Sequence, residues 1–233
     1  MPNNQKMDEV YAQYDQFREE GFAISKYAAS DYCANPSRLL FRFARYKHVS
    51  RLMAGLGRVL EIGSSDCLGA PIVADKVGKL VCIEEHAGLY NSARSLVKQM
   101  NIDIELHNAS FPCDYEKIDF LGENKLTFDG IYCLDVLEHI QPAEAADFTK
   151  KCSEILVDSG VFVCGIPSLE SQKYASPASK AGHVNCMSSE DYKIFLSDFF
   201  ENVFIFGIND ETLHTGFGAM CHYLLALCVT PKK

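Results

Sequence analysis

From Arg58 onward, short apolar runs alternate with longer amphipathic stretches. "RVLEIG", "KLVCIEE", "IDIELHN", "FDGIYCLD" and "GVFVCGIP" are rich in β-branched and aromatic residues, which predicts strands. Between them, "APIVADKV", "LYNSARSLVKQM" and "AEAADFTKKCSEIL" have helical spacing, as does "SSEDYKIFLSDFF", where Ser188 and Asp191 are spaced as a capping box. Strands alternating with helices predict a parallel sheet covered on both faces. "NVFIFGI" and "HYLLALCVT" finish the chain with no helix between them. They are expected to form an antiparallel edge pair joined by "NDETLHTGFGAMC".

The segment before Arg58 reads differently. "NPSRLLFRFARYKHVSRLMAGLG" predicts one long helix, capped by Ser37 and ended by Gly55 or Gly57. Leu39, Leu40, Phe43, Tyr46, Val49 and Met53 approximate its buried stripe. Arg38, Arg42, Arg45 and Arg51 fall largely off it and read as a solvated face, with Arg38, Arg42 and Arg45 also candidates to grip an anionic acceptor. Residues 8–30 are aromatic-rich and predict helix with breaks. Residues 1–55 are thus expected as a helical cap and 56–233 as one α/β domain. Tyr11, Tyr14, Phe17, Phe22, Tyr27 and Tyr32 in that cap are expected to serve packing.

In such sheets ligands sit beyond the carboxyl ends of the strands. That directs attention to Glu61–Gly69, Glu84–His86, His107–Ser110, Leu134–His139 and Pro167–Asn185.

Composition narrows the ligand. The 233 residues carry a formal charge of −9, which argues against nucleic acid, because phosphate backbones need clustered Lys and Arg. The ten cysteines form no C-x-x-C pair, and several lie in apolar runs. They read as buried thiols in a reducing, cytoplasmic compartment. No apolar run is long enough for a membrane span, and the N-terminus lacks a signal-peptide core.

The loop "VLEIGSSDCLG" argues against two nucleotide classes. A nicotinamide dinucleotide needs G-x-G-x-x-G, but Ser65 and Leu68 stand at the second and third glycine positions. A P-loop needs G-K-[ST], which does not follow. A nucleoside without a pyrophosphate, such as S-adenosylmethionine, asks less of the backbone. Gly63, Ser64 and Ser65 leave room for its amino-acid part, and Glu61 is suited to its ammonium. Glu84, or Glu85 beside it, stands at the next strand tip, where an acidic residue accepts ribose hydroxyls.

These segments together resemble the class I S-adenosylmethionine-dependent methyltransferases. "VLEIGSSDCLG" resembles their E-x-G-x-G-x-G motif, and "CIEEH" their second motif. "HNASFP" is similar to the segment that frames the adenine, and "FDGIYCLDVLEHI" to the fourth-strand pattern of the small-molecule branch. "ILVDSGVFVCGIPS" is similar to the fifth strand. The resemblance implies a Rossmann-like, seven-stranded, mostly parallel sheet with an antiparallel C-terminal strand. It also implies a cofactor site built from Glu61, Gly63, Ser64, Ser65, Glu84, Glu85, Asn108, Ala109, Leu134 and Asp135. Ser65 and Cys67 replace two family glycines, and Asn108 replaces a frequent Asp. Gly69 is a candidate to restore a close helix approach.

Methyl transfer to a hydroxyl needs alignment and a base. His139, in "LDVLEHI", is a candidate base or a residue that shapes the pocket through hydrogen bonds. His183, in "KAGHVNCMS", stands where related enzymes often carry a substrate-facing His. His214 is a second-contact candidate, whereas His222, His86 and His107 read as structural or surface residues. Glu138 is expected to pair with a helix terminus or a basic side chain. No spacing such as H-E-x-x-H is present, so no metal is expected.

The implied activity is methylation of a small-molecule acceptor at a hydroxyl. Candidate acceptors are a sugar or nucleotide-linked sugar of surface-polysaccharide biosynthesis, or a natural product. No membrane or nucleic-acid partner is expected, and a homodimer is compatible with the chain. The altered glycine loop keeps a second reading open: a non-catalytic binding or regulatory protein of the same fold. A nicotinamide-dependent oxidoreductase is a third.

Overall fold

The computed structural model describes residue 12 and residues 23–118 and 127–233. Of the expected cap, residues 1–11 and 13–22, with Tyr11, Tyr14, Phe17 and Phe22, lie outside the described residues.

Eight strands form one sheet. They are β1 (Arg58–Ile62), β2 (Lys79–Glu84), β3 (Ile104–Asn108), β4 (Phe128–Leu134), β5 (Leu156–Pro167), β6 (Phe200–Asn209), β7 (Thr212–His214) and β8 (Tyr223–Pro231). Their order is β3-β2-β1-β4-β5-β8-β6-β7. The first five pair with one another in parallel, and β8 runs antiparallel to β5. The Rossmann-like fold with antiparallel C-terminal strands is therefore present. The expected antiparallel pairing of the last two strand segments is present, as β6 with β8, and β8 lies between β5 and β6. The pair does not form the sheet edge. The edge is instead β7, a short strand within the segment read as a connecting loop.

The helices are α1 (Lys26–Ala34), α2 (Ser37–Leu52), α3 (Ala70–Ala74), α4 (Ala87–Met100), α5 (Pro142–Ile155), α6 (Pro177–Gly182) and α7 (Ser189–Ser197). Strand alternation sends successive side chains to opposite faces. Leu60, Ile62, Val81, Ile83, Ile131 and Cys133 pack on one face with Phe148 and Cys152 of α5 and Tyr192 and Leu196 of α7. Val59, Leu80, Cys82 and Tyr132 pack on the other with Tyr46, Val49 and Met53 of α2. The expected capping box holds at α7: Ser188 Oγ accepts from Asp191 N at 3.1 Å and donates to its carboxylate at 2.6 Å. All ten cysteines are free thiols, and seven are buried.

Helix α2 departs from its predicted pattern. Ser37 is its first residue rather than its cap, and its N–H donates to Asn35 Oδ1. Leu40, assigned to the buried stripe, is exposed. The helix is turned so that Arg42 and Arg45 face inward, and these arginines are not a solvated face. Each is paired with a carboxylate, Asp66 and Asp135 respectively.

Candidate active site

The sheet order reverses between β1 and β4, and the loops at their carboxyl ends meet there. The loop after β1 has an unusual backbone. Gly63, Ser65 and Cys67 all have positive φ, at 74°, 54° and 56°. These are the three glycine positions of the E-x-G-x-G-x-G pattern. The chain thus keeps the glycine-type path while carrying side chains at two of its three left-handed positions, where an L-residue is strained by about 1–2 kcal/mol. Only Gly63 is sterically required: a Cβ there would overlap Val136 just past β4. Gly69 also has a steric role, different from the one expected. The Tyr46 ring of α2 occupies the space its Cβ would fill, so Gly69 admits α2 rather than adjusting the loop's own helix.

Helix α2 holds this loop from outside. Asp66 pairs with Arg42 and accepts from Ser25 Oγ. Tyr46 Oη donates to Glu61 Oε1 at 2.6 Å, and the Cys82 thiol lies 3.4 Å from Oε2. Glu61 is therefore a core residue under α2, committed to these donors, and not an open ligand for an ammonium group. Burial pushes its carboxyl above the usual range, against the hydrogen bond from Tyr46. The sequence pattern points to Arg42 only as a solvated residue or an anion grip, and to Tyr46 only as core; the one signal for their joint role is the i, i+4 spacing that places both on the helix face turned toward Asp66 and Glu61.

The other expected cofactor residues converge at the strand tips. Glu84, at the end of β2, accepts from Ser65 N and His86 N, each at 2.8 Å. Asn108 donates to the carbonyls of Glu84 and Glu85, at 2.7 and 3.0 Å, and Ala109 N donates to Glu84 O. The Asn108 amide N–H groups thus join β3 to β2, which leaves its amide oxygen for an adenine edge. Glu85 is exposed and accepts from Ser110 Oγ. Ser64 is fully buried with no partner on its Oγ. Leu134 is nearly buried at the end of β4. Asp135 follows with φ 57° and accepts twice from Arg45.

These residues fit S-adenosylmethionine. The glycine-type loop leaves backbone space, and Ser64 has an unspent hydroxyl. An ionised carboxylate has about four acceptor positions. Glu84 uses one on each oxygen for the loop and β2 backbone, which leaves capacity for two ribose hydroxyls.

Beyond β4 a short 3-10 turn, Leu137–His139, brings three polar side chains together. Val184 N and Asn185 N donate to Glu138 O at 2.8 and 3.0 Å, and Asn185 Nδ2 donates to Leu137 O at 3.2 Å. This clamp carries His183 to His139, with ring centroids 5.1 Å apart. His139 Nδ1 lies 2.9 Å from the Gly182 carbonyl, which can only accept, so Nδ1 carries the proton. His183 Nδ1 lies 2.8 Å from Gln172 Oε1. The Gln172 amide is oriented by Nε2 donating to Ser168 O, so His183 Nδ1 is also the donor. Both rings in the neutral form therefore present an Nε2 lone pair. Burial, then the neighbouring His139, lowers the pKa of His183.

Of the partners expected for Glu138, the structure shows a basic side chain at the limit of ion-pair distance, His139, with Nε2 4.0 Å from Oε1. Glu138 is 0% exposed, and neither carboxylate oxygen has a hydrogen-bond partner. Burial, then the charge of Asp135, pushes its pKa up to about 9. His214 is not part of this group. It ends β7, four strands from β4 or about 19 Å laterally, and its Nδ1 accepts from Gly216 N. His86 caps α4 and His107 bonds Glu105 at 2.7 Å, so both are structural. Arg38 pairs with Asp31, so the three arginines considered for an anion, Arg38, Arg42 and Arg45, all face carboxylates.

The sheet order, with its parallel strands and antiparallel C-terminal strands, defines an α/β protein with the Rossmann-like methyltransferase fold. A family model described as "Methyltransferase domain" matches residues 60–164. Among solved structures, the N-methyltransferase NodS from Bradyrhizobium japonicum WM9 is 18% identical, with 85% of this chain and 98% of that chain covered and a TM-score of 0.58. Its complex with S-adenosyl-L-homocysteine is 17% identical over 98% of both chains, with a TM-score of 0.55. The CcbJ methyltransferase from Streptomyces caelestis is 13% identical over 82% of this chain and 95% of that one, with a TM-score of 0.60. No curated protein sequence matches the chain. Residues 60–164 thus match a methyltransferase domain, and the fold is the one shared by these solved methyltransferases. Among the described residues no helix is long and apolar enough to cross a membrane.

Proposed function

We propose that the protein methylates a hydroxyl of a small-molecule acceptor, with a sugar or nucleotide-linked sugar as the first class to test. The observation that carries this reading is the pair of Nε2 lone pairs on His139 and His183, side by side beyond β4. A hydroxyl must lose its proton to become a competent nucleophile, and neutral imidazole is suited to handle that proton near pH 7.

S-adenosylmethionine supplies an electrophilic methyl group on a sulfonium. Gly63, Ser64 and Ser65 would hold its amino-acid portion, Glu84 its ribose, and Asn108 and Ala109 its adenine. Val136 joins the two halves of the site, since it packs against the Gly63 backbone and begins the turn that carries His139. The 183–185 segment, bonded to the Glu138 and Leu137 carbonyls, keeps His183 in register with that turn. The net charge of −9 supports a small acceptor over nucleic acid.

The test is calorimetric binding of S-adenosylhomocysteine, followed by a hydroxyl-acceptor screen that reads S-adenosylhomocysteine release. The expected result is binding by wild type and by His183→Ala, with turnover lost in the variant. Binding with no turnover on any acceptor would favour the non-catalytic reading. Undiminished turnover in both His139→Ala and His183→Ala would remove the histidines from the mechanism.

A further inference from the structure

The geometry points to a divalent transition-metal site formed by Glu138, His139 and His183, which takes an oxygen of the acceptor as a further ligand. The role for the acceptor oxygen rests on the hydroxyl-methylation reading; the ion site itself does not.

One ligand atom from each residue lies within 4.8 Å of the other two, the only such group among the described residues. Two ligands on one ion stand at most about 4.2 Å apart, twice a bond of ~2.1 Å. A separation at the 4.8 Å bound would have to shorten by at least about half an ångström, and more for ligands not opposite one another. The His139 ring, with 49% of its side chain exposed, has room to make that adjustment.

Three independent features favour an ion over three unrelated side chains. First, Glu138 is fully buried with both oxygens unpartnered. A buried carboxylate in that state is costly unless it is paired, protonated or bound to a cation. The basic side chain that approaches it is His139, whose Nε2 is 4.0 Å from Oε1. Arg45 is close enough to act on it electrostatically, but donates to Asp135 instead.

Second, both imidazoles have the second-ring-nitrogen partner that metal-bound histidines almost always have. A backbone carbonyl holds His139 Nδ1–H, and an amide oxygen holds His183 Nδ1–H. Such partners fix the tautomer and aim Nε2 at the ion. Third, the three ligands are positioned by backbone rather than by flexible loops, through the hydrogen bonds from Val184 and Asn185 to Glu138 O. Sequence spacing concealed the group because His183 is 44 residues from His139 and joins it only through that clamp (183 − 139 = 44).

Two imidazoles and one carboxylate make a donor set that suits first-row divalent ions and leaves coordination positions open. An acceptor hydroxyl in one of them would have its pKa lowered, its proton passing to water, as for metal-bound water itself. The imidazole lone pairs would then serve as ligands, and the ion would take over their part in activating the hydroxyl.

The probe is Mn2+, which disfavours thiolates and so avoids the ten cysteines, titrated into the full chain and read by the resonance signal of free Mn2+. Cys186, close enough to Glu138 to feel its charge, is controlled by Cys186→Ser. We expect one Mn2+ per chain, displaced by Zn2+. Binding should be lost in Glu138→Gln and His183→Ala, and unchanged in Cys186→Ser. Gln172→Ala touches only the partner of His183 and should weaken binding about 10–100-fold. Circular dichroism melts verify that each variant folds. No binding of Mn2+ or Zn2+ by wild type, or binding unaltered in both Glu138→Gln and His183→Ala, overturns the site. Binding of S-adenosylhomocysteine, measured separately without added metal, tests the cofactor assignment. A chain that binds it but no ion keeps the methyltransferase reading and loses this inference.

Discussion

Arg45 and Asp135 link the first long helix to the tip of β4 across 90 residues of sequence: one guanidinium nitrogen donates to both carboxylate oxygens, at 2.9 and 2.6 Å. The same guanidinium lies 3.8 Å from the centre of the Tyr223 ring on β8. One side chain thus ties α2, the fourth strand tip and the antiparallel strand together, beside the turn that carries Glu138 and His139. Asp135 needs this support, because its φ of 57° is unfavourable for an L-residue.

Arg45→Ala is expected to destabilise the protein by about 1–2 kcal/mol, through the lost ion pair and ring contact. The figure is kept low because the Asp135 side chain is 40% exposed and partly screened by water. Arg45→Lys should recover little, since an ammonium cannot stack on Tyr223 as a guanidinium does. Urea denaturation of both variants measures this. A loss equal in size to a random surface substitution would show that the pair does not support the strand tip.

Ser65→Gly should stabilise the fold by about 0.5–1 kcal/mol. The gain is relief of the strained positive φ, reduced by the larger entropy glycine loses on folding. The Ser65 N–H that Glu84 accepts is a backbone group and survives the change. A thermal melt checks it. A lower midpoint would mean that the serine side chain contributes something the loop geometry does not reveal.

Glu84→Ala is expected to weaken S-adenosylhomocysteine binding about 10–100-fold, by removing the ribose acceptor. Because Glu84 also accepts from Ser65 and His86, the melting temperature should fall as well. Glu84→Gln keeps the shape and one oxygen acceptor, so it should lose affinity with a smaller fall in stability. Calorimetry alongside melts separates the two effects. Full affinity in Glu84→Ala would transfer the ribose role to Glu85.

Glu61→Gln tests the carboxyl buried beneath Tyr46. Burial raises the folded-state pKa above the ordinary 4.5, so the folded protein holds this proton more tightly than the unfolded chain. The Glu61 contribution is therefore largest at low pH and declines as pH rises from about 4.5 through the folded-state pKa. The glutamine variant lacks that decline. Its stability relative to wild type should improve with increasing pH over this window, followed by urea denaturation across a pH series. A stability difference that is flat with pH would show that Glu61 titrates alike in both states.

Much of this protein was legible in the chain because period-2 and period-3.6 patterns are local consequences of which face is buried. They placed β1 to β5, the helices between them and the positions of the strand tips. Fixed offsets from those tips brought out the Gly63 loop, Glu84, Asn108 and Asp135. The Ser65 and Cys67 substitutions suggested a damaged loop, yet the backbone keeps its left-handed turns, because contacts from Arg42, Tyr46 and Glu84 hold what glycine would otherwise permit freely.

Only the tertiary structure decided how the distant pieces meet. Arginines in a helix read as solvated until Asp66 and Asp135 are known to lie beneath them. The insertion of β8 between β5 and β6 is a choice of pairing partner, which apolar alternation alone does not encode. In sequence, His183 is a candidate to face the substrate and His214 a candidate second contact, both in loop segments. Hydrogen bonds from Val184 and Asn185 to Glu138 draw the first to His139, and sheet order carries the second four strands away. Local pattern sets the elements because burial acts residue by residue; the site depends on contacts between residues far apart in sequence, which exist only once the chain has closed.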